Sequence, residues 1–237
     1  MNILQHHTRT ILFGIVLSGM CIACAQDPSQ NVPKAQVKDV SSQTSPVEKS
    51  NSSSASEKTS TPKSSSTLSP SAQKMALSGE IIFIGSKVTG SHTNRFKTWT
   101  GEVNLGSSLE EAKFKFTVQT ASVEADYLNP KPWSEKLRKH FLSADFFDAQ
   151  NHPTATFVSS SLKKQAGDQY QVTGTLTIRG QSKEISFPAK IKQDKGFNAS
   201  TEFSINRKEY NIMYNGKADN LIRDGVVLKI NLRTERL

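Results

Sequence analysis

The chain has 237 residues, 35% hydrophobic and 22% charged, with a formal net charge of +9 and two cysteines. Cys21 and Cys24 both lie near the amino terminus, which excludes a disulfide scaffold, and no apolar run reaches the roughly 18 residues that a helix needs to span a bilayer. No Phe, Trp or Tyr lies between Phe13 and Phe83, while eleven of the twelve Phe, both Trp and all four Tyr follow residue 82, so one folded domain stands behind a polar leader.

Residues 1–10 are polar and carry one firm positive charge, Arg9, and residues 11–20 form an apolar stretch of signal-peptide length. Ala23 supplies the small residue that bacterial lipoprotein processing requires before the Cys that becomes lipidated. Met20, before Cys21, meets that steric demand poorly. The pattern predicts a lipoprotein signal peptide over 1–23 and lipidation at Cys24, with Cys21 as the alternative and a plain secretory signal as the other reading. The Cys21-Ile22-Ala23-Cys24 spacing also suits a redox pair, but that chemistry needs a strand-to-helix junction and not the end of a signal. Ala25, not Asp, follows Cys24, so the expected location is the bacterial outer membrane, facing the periplasm.

Residues 24–74 contain two Ser triplets and five Pro from Pro28 to Pro70. Such a segment buries too little apolar surface to offset its ordering entropy, and a disordered tether with a typical span of about 40 Å is predicted.

The folded domain is expected over residues 75–237, and from Gly79 the hydropathy alternates with a period of two. The first strand, at residues 81–84, is apolar on both parities. Strands with one dry and one wet face follow around Trp99, Val103 and Leu105, then Phe114, Phe116 and Val118, then residues 154–160. Four more run through Tyr170 and Leu176, Ile185 and Phe187, Phe197 and Phe203, and Val226 and Leu232. Short Gly-containing breaks such as Arg179-Gly180-Gln181 set hairpin spacing, which favours a meander of neighbouring antiparallel strands. Between the third and fourth strands, residues 132–148 place Trp133, Leu137, Phe141 and Leu142 at helical spacing, predicting a helix of about three turns started by Pro132. Eight strands whose dry faces must meet close most economically into an all-β, eight-stranded antiparallel barrel with one short helix between strands.

Four ordered motifs carry a family resemblance. They are the run from Gly85 to Gly101, the run from Leu137 through Phe146-Phe147-Asp148 to Phe157, the hairpin from Gly174 to Ile185, and Phe203-Ser204-Ile205-Asn206-Arg207 through Ile212. They resemble the YceI-like family of periplasmic lipid-binding barrels over nearly all of residues 79–237. The resemblance implies a lipocalin-like barrel around a long isoprenoid or similar chain, with neither catalysis nor cofactor. Two departures stand out: the first strand is shortened, and Tyr210-Asn211 replaces the Phe-Gly that is usual in the family.

The residues themselves carry no P-loop, no zinc-protease motif, no nucleophile elbow and no Cys within the domain. His92, His140 and His152 are far apart in sequence, and Asp145 and Asp148 suit capping and turns better than acid–base work. Lys113, Lys115, Lys190, Lys192 and Lys229 fall on outward parities of different strands, the solvated face of a barrel and not a nucleic-acid groove.

The candidate ligand-binding set is Trp99, Phe114, Phe116, Phe141, Phe157, Tyr170, Phe187, Phe203 and Arg207. Parity does not separate a packed core from an apolar tunnel; the resemblance favours the tunnel. Arg207 continues the inward parity of Phe203 and Ile205, and either meets a lipid phosphate or pairs with an Asp near Phe146. The expected partners are a polyisoprenoid, quinone-like or fatty-amide lipid and, through the anchor, the membrane, with no nucleic acid and with a homodimer left open. The competing function is a structural or interaction lipoprotein whose barrel is filled by its own side chains.

Overall fold

Residues that alternate wet and dry along a strand bury only half their side chains, and the chain resolves this by rolling its strands into a ring. The computed structural model describes residues 25–40, 73–194 and 196–234. The expected signal segment, Cys24 and residues 41–72 of the expected tether lie outside the described residues.

A short strand β1 (Gln36–Asp39) comes first, followed by β2 (Gln73–Lys87), β3 (Gly90–Phe96), β4 (Trp99–Leu105) and β5 (Lys113–Gln119). A two-residue strand β6 (Val123–Glu124) and helix α1 (Ser134–Leu142) lead to β7 (Thr154–Lys164), β8 (Gln169–Ile178), β9 (Gln181–Gln193) and β10 (Phe197–Asn206). The small pair β11 (Gly216–Lys217) and β12 (Asn220–Leu221) precedes β13 (Gly225–Thr234). Strands β2, β4, β5, β7, β8, β9, β10 and β13 pair antiparallel in that order, and β13 returns to β2. This is the closed eight-stranded meander that the alternation predicts. The inward set, including Val103, Phe157, Val172, Ile185, Phe197 and Phe203, is buried in one cluster. Lys113, Lys115, Lys190, Lys192 and Lys229 are exposed outside, where Lys115, Lys192 and Lys229 pair with Glu102, Asp168 and Glu202 at 3.0, 3.2 and 3.2 Å.

The first strand is not shortened. β2 is 15 residues long; its first part pairs with β4 and its last part with β3. Gly79 sits between the two parts at φ +136°, where a Cβ would lie 2.0 Å from the Asn231 carbonyl oxygen of β13, so only glycine allows this approach. Ile81 and Phe83 enter the interior cluster, and Ile82 is buried on the other face, which accounts for the double parity of this strand.

Helix α1 is shorter than the periodicity predicts. Trp133, its N-cap, is 55% exposed, and only Phe141 of the apolar stripe is fully buried. Ser143 ends the helix: its N–H and its hydroxyl both donate to the His140 carbonyl. The chain then folds back, with Phe147 N–H on the Phe141 carbonyl and Ala149 N–H on that of Leu142, both near 3.0 Å.

The tether expected from residue 24 is corrected over residues 25–40, which dock on the barrel. Asp27 caps a 3-10 turn (Pro28–Asn31) by accepting the Ser29 N–H at 3.0 Å. Ala35 N–H donates to the Ser204 carbonyl and Ser204 N–H to that of Pro33, each at 2.9 Å. β1 then pairs with β9 from Gln36↔Ser186 to Asp39↔Lys183. The reason is an open seam. β9 and β10 pair directly only from Phe197↔Gln193 to Ser200↔Lys190, and Pro188 has no N–H to offer beyond that. The strap fills the two free edges with its backbone. Composition cannot reveal this, because ladder bonds do not depend on apolar side chains.

Candidate functional site

The registers assign the barrel two ends. Leu105, Lys113, Lys164, Gln169, Gln193 and Phe197 gather at one; Lys87, Gln119, Thr154, Ile178, Gln181 and Asn206 gather at the other. The first end is plugged. The Phe114 ring packs at a tilt against Phe157 (5.7 Å between ring centroids) and Phe197 (6.1 Å), and Tyr170 and Ile191 are buried at the same end. Toward the middle, Phe187 and Phe203 lie parallel, 4.0 Å apart.

Beyond this plug an apolar cavity of about 120 Å³ reaches toward the second end. Its walls include Phe116, Phe157, Phe187, Phe203, Ile205 and Leu228. The volume is close to that of an apolar cavity of about 150 Å³ known to stay dry and admit benzene, and below the roughly 300–1,000 Å³ of an ordinary ligand site. The expected tunnel is therefore corrected to a half-plugged barrel with a small apolar void.

Five phenylalanine rings close the second end, with Tyr214 against one of them. Phe83 contacts Phe141 at 5.4 Å and Phe147 at 5.7 Å, and Phe96 contacts Phe147 at 5.6 Å. Phe146 stands edge-on to Phe141 at 5.4 Å and leans on Tyr214 at 5.7 Å. Phe141 comes from α1 and Phe146 and Phe147 from the turn after it, so one short segment carries most of this gate.

Six of the predicted site residues line the cavity: Phe116, Phe141, Phe157, Phe187, Phe203 and Arg207. Phe114 and Tyr170 belong to the plug, and Trp99 folds over Gly101, its ring 3.0 Å from where a Cβ there would be. The sequence reading omitted Phe83, Phe96, Phe146, Phe147 and Tyr210 from the site. The available signal was the Phe146-Phe147 pair, which breaks the strand rhythm just after a helix.

Arg207 is buried, and each nitrogen of its guanidinium donates to the protein: Nε to the Arg223 carbonyl at 3.2 Å, Nη1 to that of Ile212 at 2.6 Å and Nη2 to Asp224 at 3.0 Å. Burial pushes its pKa down and the Asp224 carboxylate opposes that. The ion-pair alternative holds, but its partner is Asp224, not an Asp beside Phe146, and the guanidinium has no free fork for a phosphate. The histidines stand with single carboxylates: His92 with Asp126 at 3.0 Å, His140 with Asp145 at 2.8 Å and His152 with Asp148 at 4.0 Å. Among the described residues no three potential metal ligands cluster.

Two neighbours of Arg207 complete the wall. Tyr210 ends the 3-10 turn (Arg207–Tyr210) after β10, and Asn211 closes that turn in the left-handed region at φ +56°. Asn tolerates this conformation, so it can stand where glycine is usual. Arg223 reaches across the mouth, donating from Nη2 to the Ala25 carbonyl at 2.6 Å.

Residues 64–234 match the sequence profile of the YceI-like domain. The chain belongs to the YceI-like family. One relative, a UPF0312 protein of Pseudomonas putida, is 33% identical over 123 residues, which is 47% of this chain and 59% of the relative. The chain thus spans about 59% of the length of that curated relative. Burkholderia cenocepacia BcnA has a similar fold, with a TM-score of 0.58 and 23% identity over 66% of this chain and 96% of that one. A polyisoprenoid binding domain from Saccharophagus degradans also shares the fold, with a TM-score of 0.53 and 14% identity over 70% and 99% of the two chains. The YceI-like barrel here differs from a simple ring mainly in the strap at its seam and the aromatic gate at its mouth.

Proposed function

We propose that this protein is a non-catalytic binder of a long apolar lipid, isoprenoid-like in width, held in the barrel interior and anchored at the bacterial outer membrane as a carrier or sink. The observation that carries this reading is an apolar cavity whose mouth is closed mostly by aromatic rings from helix α1 and the turn after it. A single void of about 120 Å³ admits little more than one branched unit, so uptake of a chain requires Phe141, Phe146 and Phe147 to swing outward. Each 100 Å² of apolar chain buried then contributes about 2.5 kcal/mol, less the cost of ordering the chain. The polyisoprenoid binding domain of similar fold supports the lipid class.

The anchor reading gains from the strap. Ala25, next to Cys24 in the chain, is bound by Arg223, which lines the cavity. A lipid on Cys24 would therefore hold the mouth close to the bilayer. Residues 41–72 come after the docked strap and cannot lengthen that link. A carrier that loads from a membrane gains from such an orientation.

The competing reading, a structural lipoprotein with a filled barrel, is favoured by the plugged half of the interior. Native mass spectrometry of the mature full-length protein, purified from membranes, separates the two. Release of a co-purifying apolar lipid supports the carrier. Protein that is repeatedly empty and takes up no added polyprenol rejects it. Loss of membrane partition in Cys24→Ser, with the fold intact, tests the anchor.

A further inference from the structure

Among the described residues, two buried side-chain polar atoms have no hydrogen-bond partner, the Tyr210 hydroxyl and Arg223 Nη1, and both residues line the same cavity. Elsewhere, polar groups buried as deeply are satisfied, as the Arg207 fork and Asn94 illustrate. An interior that pairs its other buried polar atoms leaves these two unpaired on residues of the cavity wall, each covered in the closed barrel and within reach of an acceptor only once a chain enters and the wall gives way.

The two are not equivalent. Arg223 Nη1 lies 4.0 Å from the Asp27 carboxylate, so its charge is answered. Tyr210 is fully buried, and its hydroxyl faces no such group. Burial, with a smaller contribution from Glu209, pushes the phenol well up, so it remains a neutral donor. The ring is also held firmly: Asn206 caps the turn by accepting the Lys208 N–H at 3.0 Å, and Arg207 fixes the Ile212 carbonyl on the far side.

We propose that Tyr210 is a specificity residue that selects, among lipids entering this cavity, those carrying an uncharged hydrogen-bond acceptor, a carbonyl oxygen, on the hydrocarbon chain. The inference rests on the lipid-binding reading and deepens it. A pure hydrocarbon leaves the hydroxyl unpaired in the complex as in the free protein. A phosphate would bring a charge that needs a free counter-charge, and Arg207 is committed to Asp224 and three carbonyls while Arg223 faces Asp27. A carbonyl needs one donor and no counter-ion. Phenylalanine, which the family resemblance expects at this position, would provide the same wall without that donor.

The test compares wild type with Tyr210→Phe, both as mature full-length protein, against three probes: farnesylacetone, an isoprenoid hydrocarbon of matching length, and farnesyl phosphate. Wild type should bind the ketone about threefold to tenfold more tightly than the hydrocarbon, the effect of one neutral hydrogen bond. Tyr210→Phe should erase that ratio, keep the hydrocarbon affinity and be at least as thermally stable as wild type. Hydrocarbon binding with a ketone ratio unchanged by Tyr210→Phe overturns the role of Tyr210 alone. So does a preference for farnesyl phosphate, or a Tyr210→Phe protein less stable than wild type, which would mean the hydroxyl is already satisfied. Failure of wild type to bind any of the three overturns this inference and the lipid-binding reading together.

Discussion

The Phe157 ring occupies the space that a side chain at Gly174 would need: a Cβ there would lie 2.5 Å from Phe157 Cζ and equally close to the Val158 carbonyl oxygen. The neighbouring strands β7 and β8 are thus spaced for a bare backbone opposite a full aromatic ring. Gly174→Ala cannot be relieved by a flexible side-chain tip, since one of the clashing atoms is backbone. The substitution is expected to destabilise the barrel by about 1–3 kcal/mol, the usual effect of overpacking, and to push the Phe157 ring into the cavity. Chemical denaturation of the purified variant checks the first effect, and reduced uptake of an apolar dye checks the second.

Strand order, barrel closure and the inward face of each strand were legible because a period of two ties every side chain to a side of the sheet. Height along the barrel was not. Phe114, Tyr170 and Phe187 all read as inward, yet two plug the far end and one lines the cavity, because height follows from register and register from turns and bends such as Gly79. The strap was illegible for a different reason: between Pro33 and Asp39 it docks mainly through backbone bonds, with the Lys183–Asp39 pair at 2.5 Å and only the small apolar side chains Ala35 and Val37 against the core, and its composition is that of a linker. Arg207 was placed correctly on the inward face, but Asp224 reaches it only through the fold of the intervening loop.

That loop depends on Arg207. Its planar guanidinium ties Ile212, Arg223 and Asp224 to one point, while that of Arg223 is turned to Ala25 and Asp27. Arg207→Met removes the fork and leaves carbonyls at the barrel mouth without donors, an expected loss of about 3 kcal/mol. Arg207→Lys restores the charge but not the geometry and should recover only part of it. Urea denaturation gives the magnitude, and hydrogen exchange should show the increase concentrated in residues 211–224.

Gate and plug should respond differently to truncation. Phe146 is half-buried, set between Phe141, Tyr214 and the His140 ring at 4.8 Å. Phe146→Ala is expected to destabilise the protein by about 1–2 kcal/mol, below the range for a fully buried Phe, and to speed entry of a fluorescent apolar dye severalfold. Phe197 is fully buried at the plugged end, so Phe197→Ala should destabilise by about 3–5 kcal/mol with no faster entry. Stopped-flow dye binding beside denaturation curves distinguishes the two. Equal entry rates in both variants would mean that the lipid path does not pass α1.

The strap should loosen in acid. Lys183 beside Asp39, mainly through their hydrogen bond, holds the Asp39 carboxyl below its ordinary value of 3.8. A carboxylate with a folded-state pKa below its unfolded one stabilises the docked state above the unfolded value, and that contribution is lost as the pH falls through the depressed one. Docking of residues 33–39 should therefore be insensitive to pH near neutrality and weaken only below about pH 4. Asp39→Asn should flatten this response. Ala35→Pro is the complementary probe, because it removes the N–H that Ser204 accepts and should release the strap at every pH while the eight-stranded ring persists. Exchange rates of the Ser204 and Ala35 amides across pH, followed by NMR, decide the matter: protection that is unchanged into strong acid in wild type would remove Asp39 from the docking mechanism.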